Sequence, residues 1–222
     1  FSGGQRIMTI TIVDSSSTLH TLRKQLASEK IIALDTEFHS ENRYFPELML
    51  MQIANQDGDV WIVDPKKINP EPLGAALRNT TIITHGGRED IRILYREMGL
   101  TPKRFFDIQI AAGLLGYRFP IGLGDIAPLI IGKEVSKGET LTDWSFRPLK
   151  TKQIEYAAQD ALILLPLYTE LLRRLQEKGK EELCWLASND LVKESLKVRD
   201  VRTDWLHWGL AEILSIKSQR VI

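Results

Sequence analysis

The sequence has no charge of one sign to spare: 29 Lys and Arg stand against 29 Asp and Glu over 222 residues. That balance excludes a broad, non-specific electrostatic footprint, so any contact with a polyanion must be local. A single cysteine, Cys184, excludes an internal disulfide framework and suits a reducing, cytoplasmic compartment. No apolar run reaches the length of a membrane span, and the longest, around Ala161 to Leu167, contains Pro166. No basic segment leading into an apolar stretch is visible, so no secretory signal is expected. Repeats and low-complexity tracts are missing too. What remains, 43% hydrophobic and 26% charged, is the composition of a globular domain. The length suits one sizeable core with a helical appendix.

Hydrophobic periodicity divides the chain. Met8 to Val13 alternates as a strand with one buried face, and Asp14 with the serines after it offers N-caps for a helix through Leu26. Ile31-Ile32-Ala33-Leu34 is a continuous apolar run, as in a strand buried on both faces, and it ends in Asp35-Thr36-Glu37-Phe38. Glu47 to Ala54 and Val60 to Val63 follow as strands around an Asp57-Gly58 turn, which predicts an antiparallel meander. A short helix near Pro70 to Arg78 leads to the strand Thr81 to Thr84. From there the pattern is mostly helical: Glu89 to Met98, Ile108 to Leu115, Gly124 to Ile131 and Lys152 to Gln176. Strands mixed with helices in this order predict an α/β sandwich built on a mixed sheet. Beyond Lys180, Leu183, Trp185, Leu186 and Leu191 form one apolar face, and Trp205, Trp208, Leu210, Ile213 and Leu214 another. These faces either fold back on the domain or make a dimer contact; the oligomeric state is open.

Three clusters carry chemistry. Asp35 and Glu37, two apart on a strand, project from one face near its end. Two acids at the lip of a core repel each other unless something positive sits between them, and a divalent cation with oxygen ligands is the usual remedy. Alone the triplet is weak, since about one Asp-x-Glu is expected by chance in such a chain. His85-Gly86-Gly87-Arg88-Glu89-Asp90 lies at a strand-to-helix junction, where paired glycines permit close backbone approach to a ligand. Acids in a first helical turn are as often dipole partners as ligands. Tyr156 and Asp160, four apart on a helix capped by Thr151, share a face with the small Ala157 and Ala161.

In this order the clusters resemble the three exonuclease motifs of the DEDD superfamily, tyrosine branch. The stretch Lys137 to Leu149, followed by Gln153, Tyr156-Ala157-Ala158 and Asp160, narrows the resemblance to the ribonuclease D family. Leu50-Met51-Gln52-Ile53 and Phe106-Asp107-Ile108-Gln109 also match it, so the likeness runs from residue 8 to residue 176. It implies a ribonuclease H-like mixed sheet of about five strands flanked by helices, with a catalytic domain over 1–176 and a C-terminal helical extension over 177–222. Two departures stand out: the loop after His85 is glycine-rich, and one helical segment follows where the family commonly carries tandem helical modules.

The resemblance implies a 3′→5′ exoribonuclease using two divalent cations, Mg²⁺ or Mn²⁺, to release nucleoside 5′-monophosphates from single-stranded RNA 3′ ends, tRNA precursors included. Asp35 would bridge the two ions, Glu37 and Asp160 complete the nucleophile-side one, and Asp90 hold the second. A free phenol titrates at about 10 and is a poor base at neutral pH, so Tyr156 would orient the attacking water instead. Substrate-contact candidates are His85 at the leaving group or phosphate, Phe38 as a wedge at the terminal base, and Thr36. Lys137 and Arg147 are candidates for phosphates, and Gln52 for a backbone or sugar hydrogen bond. Asp143 and Trp144 read as structural, Asp143 with Arg147 as an available partner. Action on DNA or very short oligonucleotides, and a catalytically silent nucleic-acid-binding scaffold, are the alternatives; no residue announces a contact to the 2′-OH.

Overall fold

The computed structural model describes residues 9–41, 45–135 and 142–197. Lys137 and the tryptophan-bearing face from Trp205 to Leu214 lie outside the described residues. A six-stranded mixed sheet has the order β1-β4-β3-β2-β5-β6. Its strands are β1 (Thr9–Val13), β2 (Ile31–His39), β3 (Glu47–Asn55), β4 (Asp59–Val63), β5 (Thr81–Thr84) and β6 (Arg104–Asp107). Strands β2, β3 and β4 form the expected antiparallel meander, with Gly58 at φ +87° in its second turn. Here the sheet gains a strand over expectation. β6 has only four residues, with Phe105 and Phe106 between a charged start and a helix-capping Asp107, too short for periodicity to register.

Helices cover both faces. α1 (Ser16–Leu26), α2 (Pro72–Leu77) and α3 (Arg88–Met98) share a core with Ile32, Leu34, Met51 and Ile53. α4 (Ile108–Leu114), α5 (Leu123–Ile131) and α6 (Thr151–Glu177) share the other with Ala33, Leu50, Ala54 and Ile83. The alternation of Ile32, Ala33 and Leu34 between the two cores explains why this strand shows no polar partner positions until Asp35. Small side chains meet where α6 crosses the sheet: Ala33 below, Ala157, Ala158 and Ala161 above, all fully buried. That lets the helix carry its polar residues close to β2. α6 is capped one residue earlier than expected, at Lys150, whose backbone N–H donates to Gln153 Oε1 at 2.9 Å.

α7 (Glu181–Ser195) packs back on β6, α3 and α4. Its buried face differs from the apolar face read above. Cys184, Ser188, Val192 and Ser195 point inward, while Leu183 and Leu186 are exposed. Small residues at this spacing allow close packing on a strand, and Ser188 Oγ accepts a hydrogen bond from the Asp107 backbone N–H. Burial pushes the Cys184 thiol up to about 12, which makes it inert. Among the described residues no helix is long and apolar enough to cross a membrane.

Candidate active site

β2 outruns its parallel neighbour. It pairs with β5 only over Ile31–Ala33 but with β3 as far as His39. Past Ala33, therefore, one backbone edge of β2 is free of β5, and Asp35 and Glu37 stand there on the α6 side of the sheet. A register shift between Glu37 and Phe38 interrupts that pairing, which resumes at Phe38. Asp160 reaches the same place from α6: one carboxylate oxygen each from Asp35, Glu37 and Asp160 lies within 4.8 Å of the others. Tyr156, one turn earlier on α6, hydrogen-bonds Asp160 and rests beside the buried Trp144, ring centroids 6.3 Å apart. Trp144 is a structural residue, packed into the α6-side core.

Asp90 comes from the opposite layer and stands outside that trio. Its carboxylate is held through the gap beside β5 by the Thr36 hydroxyl, which donates to Asp90 Oδ1 at 2.6 Å. Thr36, between the two acids of the strand, faces away from them. Its side chain thus serves an acid rather than the substrate. The neighbouring Glu89 pairs with Arg92 and is the ordinary first-turn acid.

The turn that delivers Asp90 depends on a residue given no role by the sequence reading. Asp107, 1% exposed, accepts from four backbone N–H groups: Gly86 (3.2 Å), Gly87 (2.8 Å), Gln109 (2.8 Å) and Ile110 (3.2 Å). It caps α4 and latches the β5–α3 turn with one carboxylate. The available signal was an Asp directly before a helical pattern. Gly87 is required by packing rather than by a ligand, since a Cβ there would lie 2.1 Å from Thr84 Oγ1. His85 opens this turn; burial lowers its pKa, opposed by the Asp107 charge and the Ile121 backbone.

Electrostatically the acids are under strain. Burial and the charges of Asp90, Glu37 and Asp160 hold the Asp35 carboxyl well above the usual carboxylate range. Burial, with Asp160 and Asp90, lifts Glu37 to about 8. Burial lifts Asp90 to about 7 against the Thr36 hydrogen bond, and Asp160 to about 6 against that of Tyr156. Asp160 Oδ1 is buried with no hydrogen-bond partner among the described residues. Oxygen-only donors, mutual repulsion and an orphaned acceptor fit a small hard cation. Oxygens around one such ion stand up to about 4 Å apart, so the trio needs only small adjustments.

Other expected contacts fall elsewhere. Arg147 is corrected outright: its five donor bonds go to Asp64 Oδ2 (2.6 Å), Asp64 Oδ1, and the carbonyls of Met49, Trp144 and Phe146 (2.8 Å each). A guanidinium has five N–H donors, so none is left for phosphate, and its acid is Asp64 rather than Asp143. Asp143 instead accepts from the Ser145 N–H and lies 3.7 Å from His39. Phe38 packs half-buried on the α1–α3 core, the side away from Asp35 and Glu37. Gln52 is fully buried, out of reach of a sugar, and its amide has no backbone partner among the described residues.

Comparison with known proteins agrees with this geometry. A sequence model of the 3′-5′ exonuclease domain matches residues 10–176. A ribonuclease D of Acidiphilium cryptum is 34% identical over 185 residues, covering 82% of this chain and 46% of that protein. Escherichia coli RNase D, an exoribonuclease involved in structured RNA processing, superposes with a TM-score of 0.84 at 28% identity, over 94% of this chain and 56% of its own. Brucella melitensis NrnC bound to pGG superposes at 0.73 and 26% identity, over 95% of this chain and 100% of its own. The chain spans about half the length of the curated relatives it matches. With the motif carboxylates gathered at one lip of a mixed sheet and the family pattern running through them, the chain belongs to the 3′-5′ exonuclease family.

Proposed function

We propose that this domain hydrolyses phosphodiester bonds one nucleotide at a time from single-stranded RNA 3′ ends, tRNA precursors among them, releasing nucleoside 5′-monophosphates with two divalent cations, Mg²⁺ or Mn²⁺. The observation that carries the reading is the convergence of Asp35, Glu37 and Asp160 oxygens within 4.8 Å. These three would hold one cation, and Asp35 with Asp90 the other. Bound there, the cations stabilise negative charge developing on the phosphate and the leaving oxygen. Tyr156 holds Asp160 by a hydrogen bond and orients the attacking water beside it. Thr36 and Asp107 position Asp90, the first by its hydroxyl, the second through the Gly86-Gly87 backbone. His85, at the head of that turn, would contact the leaving group or the scissile phosphate. A cytoplasmic location belongs to the same reading and rests on the free, buried Cys184.

A 5′-labelled RNA oligonucleotide tests this. A descending ladder with mononucleotide product, abolished by chelator and by Asp35→Ala, supports it; an intact strand of shifted gel mobility would select the silent scaffold. One observation favours the second reading, action on very short oligonucleotides: the likeness to NrnC bound to pGG covers all of that chain. Rates on a dinucleotide and on a 20-nucleotide RNA decide between them, and a matching DNA strand tests the sugar.

A further inference from the structure

Gln52 is 0% exposed, yet neither its amide nitrogen nor its amide oxygen has a hydrogen-bond partner among the described residues. Such a group is expensive to bury, and its neighbours on the same face, Leu50 and Ala54, are plain core. Packing alone would be better served by an apolar residue. Its position says what the amide is for. Gln52 is the direct cross-strand partner of Asp35 in the β2–β3 ladder, so both side chains leave the same face with Cβ atoms about 5 Å apart. Asp160 Oδ1, the other orphan at this level, belongs to a carboxylate within 4.8 Å of Asp35's. An unpaired donor and an unpaired acceptor therefore both neighbour Asp35 beneath α6, with no hydrogen bond between them in this structure.

We infer that Gln52 is a positioning residue of the acidic site: when a cation draws the acids together, its amide N–H donates to Asp160 Oδ1 and fixes the carboxylate with its other oxygen turned to the cation. The inference rests on the cation-site reading above. An amide suits the task because it donates without carrying charge: it orients an acceptor but does not compete with a cation for it. A lysine here would neutralise the site, and a leucine would leave Asp160 Oδ1 without a donor. Partners of this kind behind metal ligands govern affinity by about 10- to 100-fold.

The test uses the full chain and two apolar variants, Gln52→Met and Gln52→Leu, so that a packing fault in one is caught by the other. Thermal unfolding in chelator, followed by Mn²⁺ titration read as the shift in melting temperature, separates the roles. The expected result is a variant that melts no lower than wild type in chelator, because the orphaned amide is gone, but needs about 10-fold more Mn²⁺ for the same shift. On RNA, kcat falls and KM holds. Unchanged Mn²⁺ dependence in either folded variant overturns the inference. So does a loss of chelator-state stability that accounts for the whole Mn²⁺ effect. If wild type itself shows no Mn²⁺ shift, or if Asp35→Ala keeps it, the cation-site reading fails instead.

Discussion

Replacing Asp35 with Asn is expected to stabilise the cation-free protein while removing its response to cations. Asp35 is the acid whose charge is opposed by all three others, Asp90, Glu37 and Asp160. A carboxyl whose folded pKa exceeds its unfolded value keeps its proton longer in the native state. Its contribution to stability is full below the ordinary pKa and fades as pH rises toward the folded one. For Glu37 that window runs from 4.5 to about 8. At pH 7, keeping Glu37 protonated some 2.5 pH units above 4.5 costs about 3 kcal/mol. Asp35 carries a raised carboxyl of its own, from burial and all three neighbours; it is partly exposed and the four acids share protons, so removing that carboxyl gives relief of about 2 kcal/mol. In a chain of this size that is roughly 4–8 °C in melting temperature. Melts followed by circular dichroism in chelator should show Asp35→Asn higher than wild type by this margin at pH 8, with the gap shrinking at pH 5. Adding Mn²⁺ should raise wild type alone. A variant melting lower than wild type by the same amount at both pH values would refute the shared repulsion.

Three further substitutions separate the parts of the site. Thr36→Val removes the 2.6 Å hydrogen bond to the buried Asp90 and should cost about 1–3 kcal/mol of stability, read by urea unfolding, together with a fall in kcat at unchanged RNA affinity. Tyr156→Phe should slow turnover by far more than it weakens the Mn²⁺-induced melting shift; equal loss of both would make the tyrosine a structural support only. Arg147→Met strands the nearly buried Asp64 and should destabilise the fold by about 3–5 kcal/mol, whereas the salt dependence of RNA binding should not change.

The clustered acids were legible because their geometry is local. Two positions along β2 and four along α6 fix a common face before any tertiary contact forms, so Asp35 with Glu37, and Tyr156 with Asp160, could be paired from spacing alone. The parts that escaped are set by long-range contacts. Asp107 acts on the turn twenty residues before it, and Arg147 on an acid 83 residues away. Nothing in either neighbourhood marks such a partner. Thr36 faces the layer opposite its two neighbours, and only the placement of α3 shows that Asp90 waits there. The inward face of α7 was misread because it is lined by cysteine, serine and valine while two leucines point outward, which inverts the usual hydrophobic cue.

Anomalous diffraction from crystals soaked in Mn²⁺ bears most directly on the site itself. A peak about 2.2 Å from an Asp35 oxygen, shared with Glu37 or Asp160 and absent in Asp35→Ala, is the outcome expected of carboxylates gathered for a cation. Well-ordered acids with Mn²⁺ bound elsewhere, or nowhere, would contradict it.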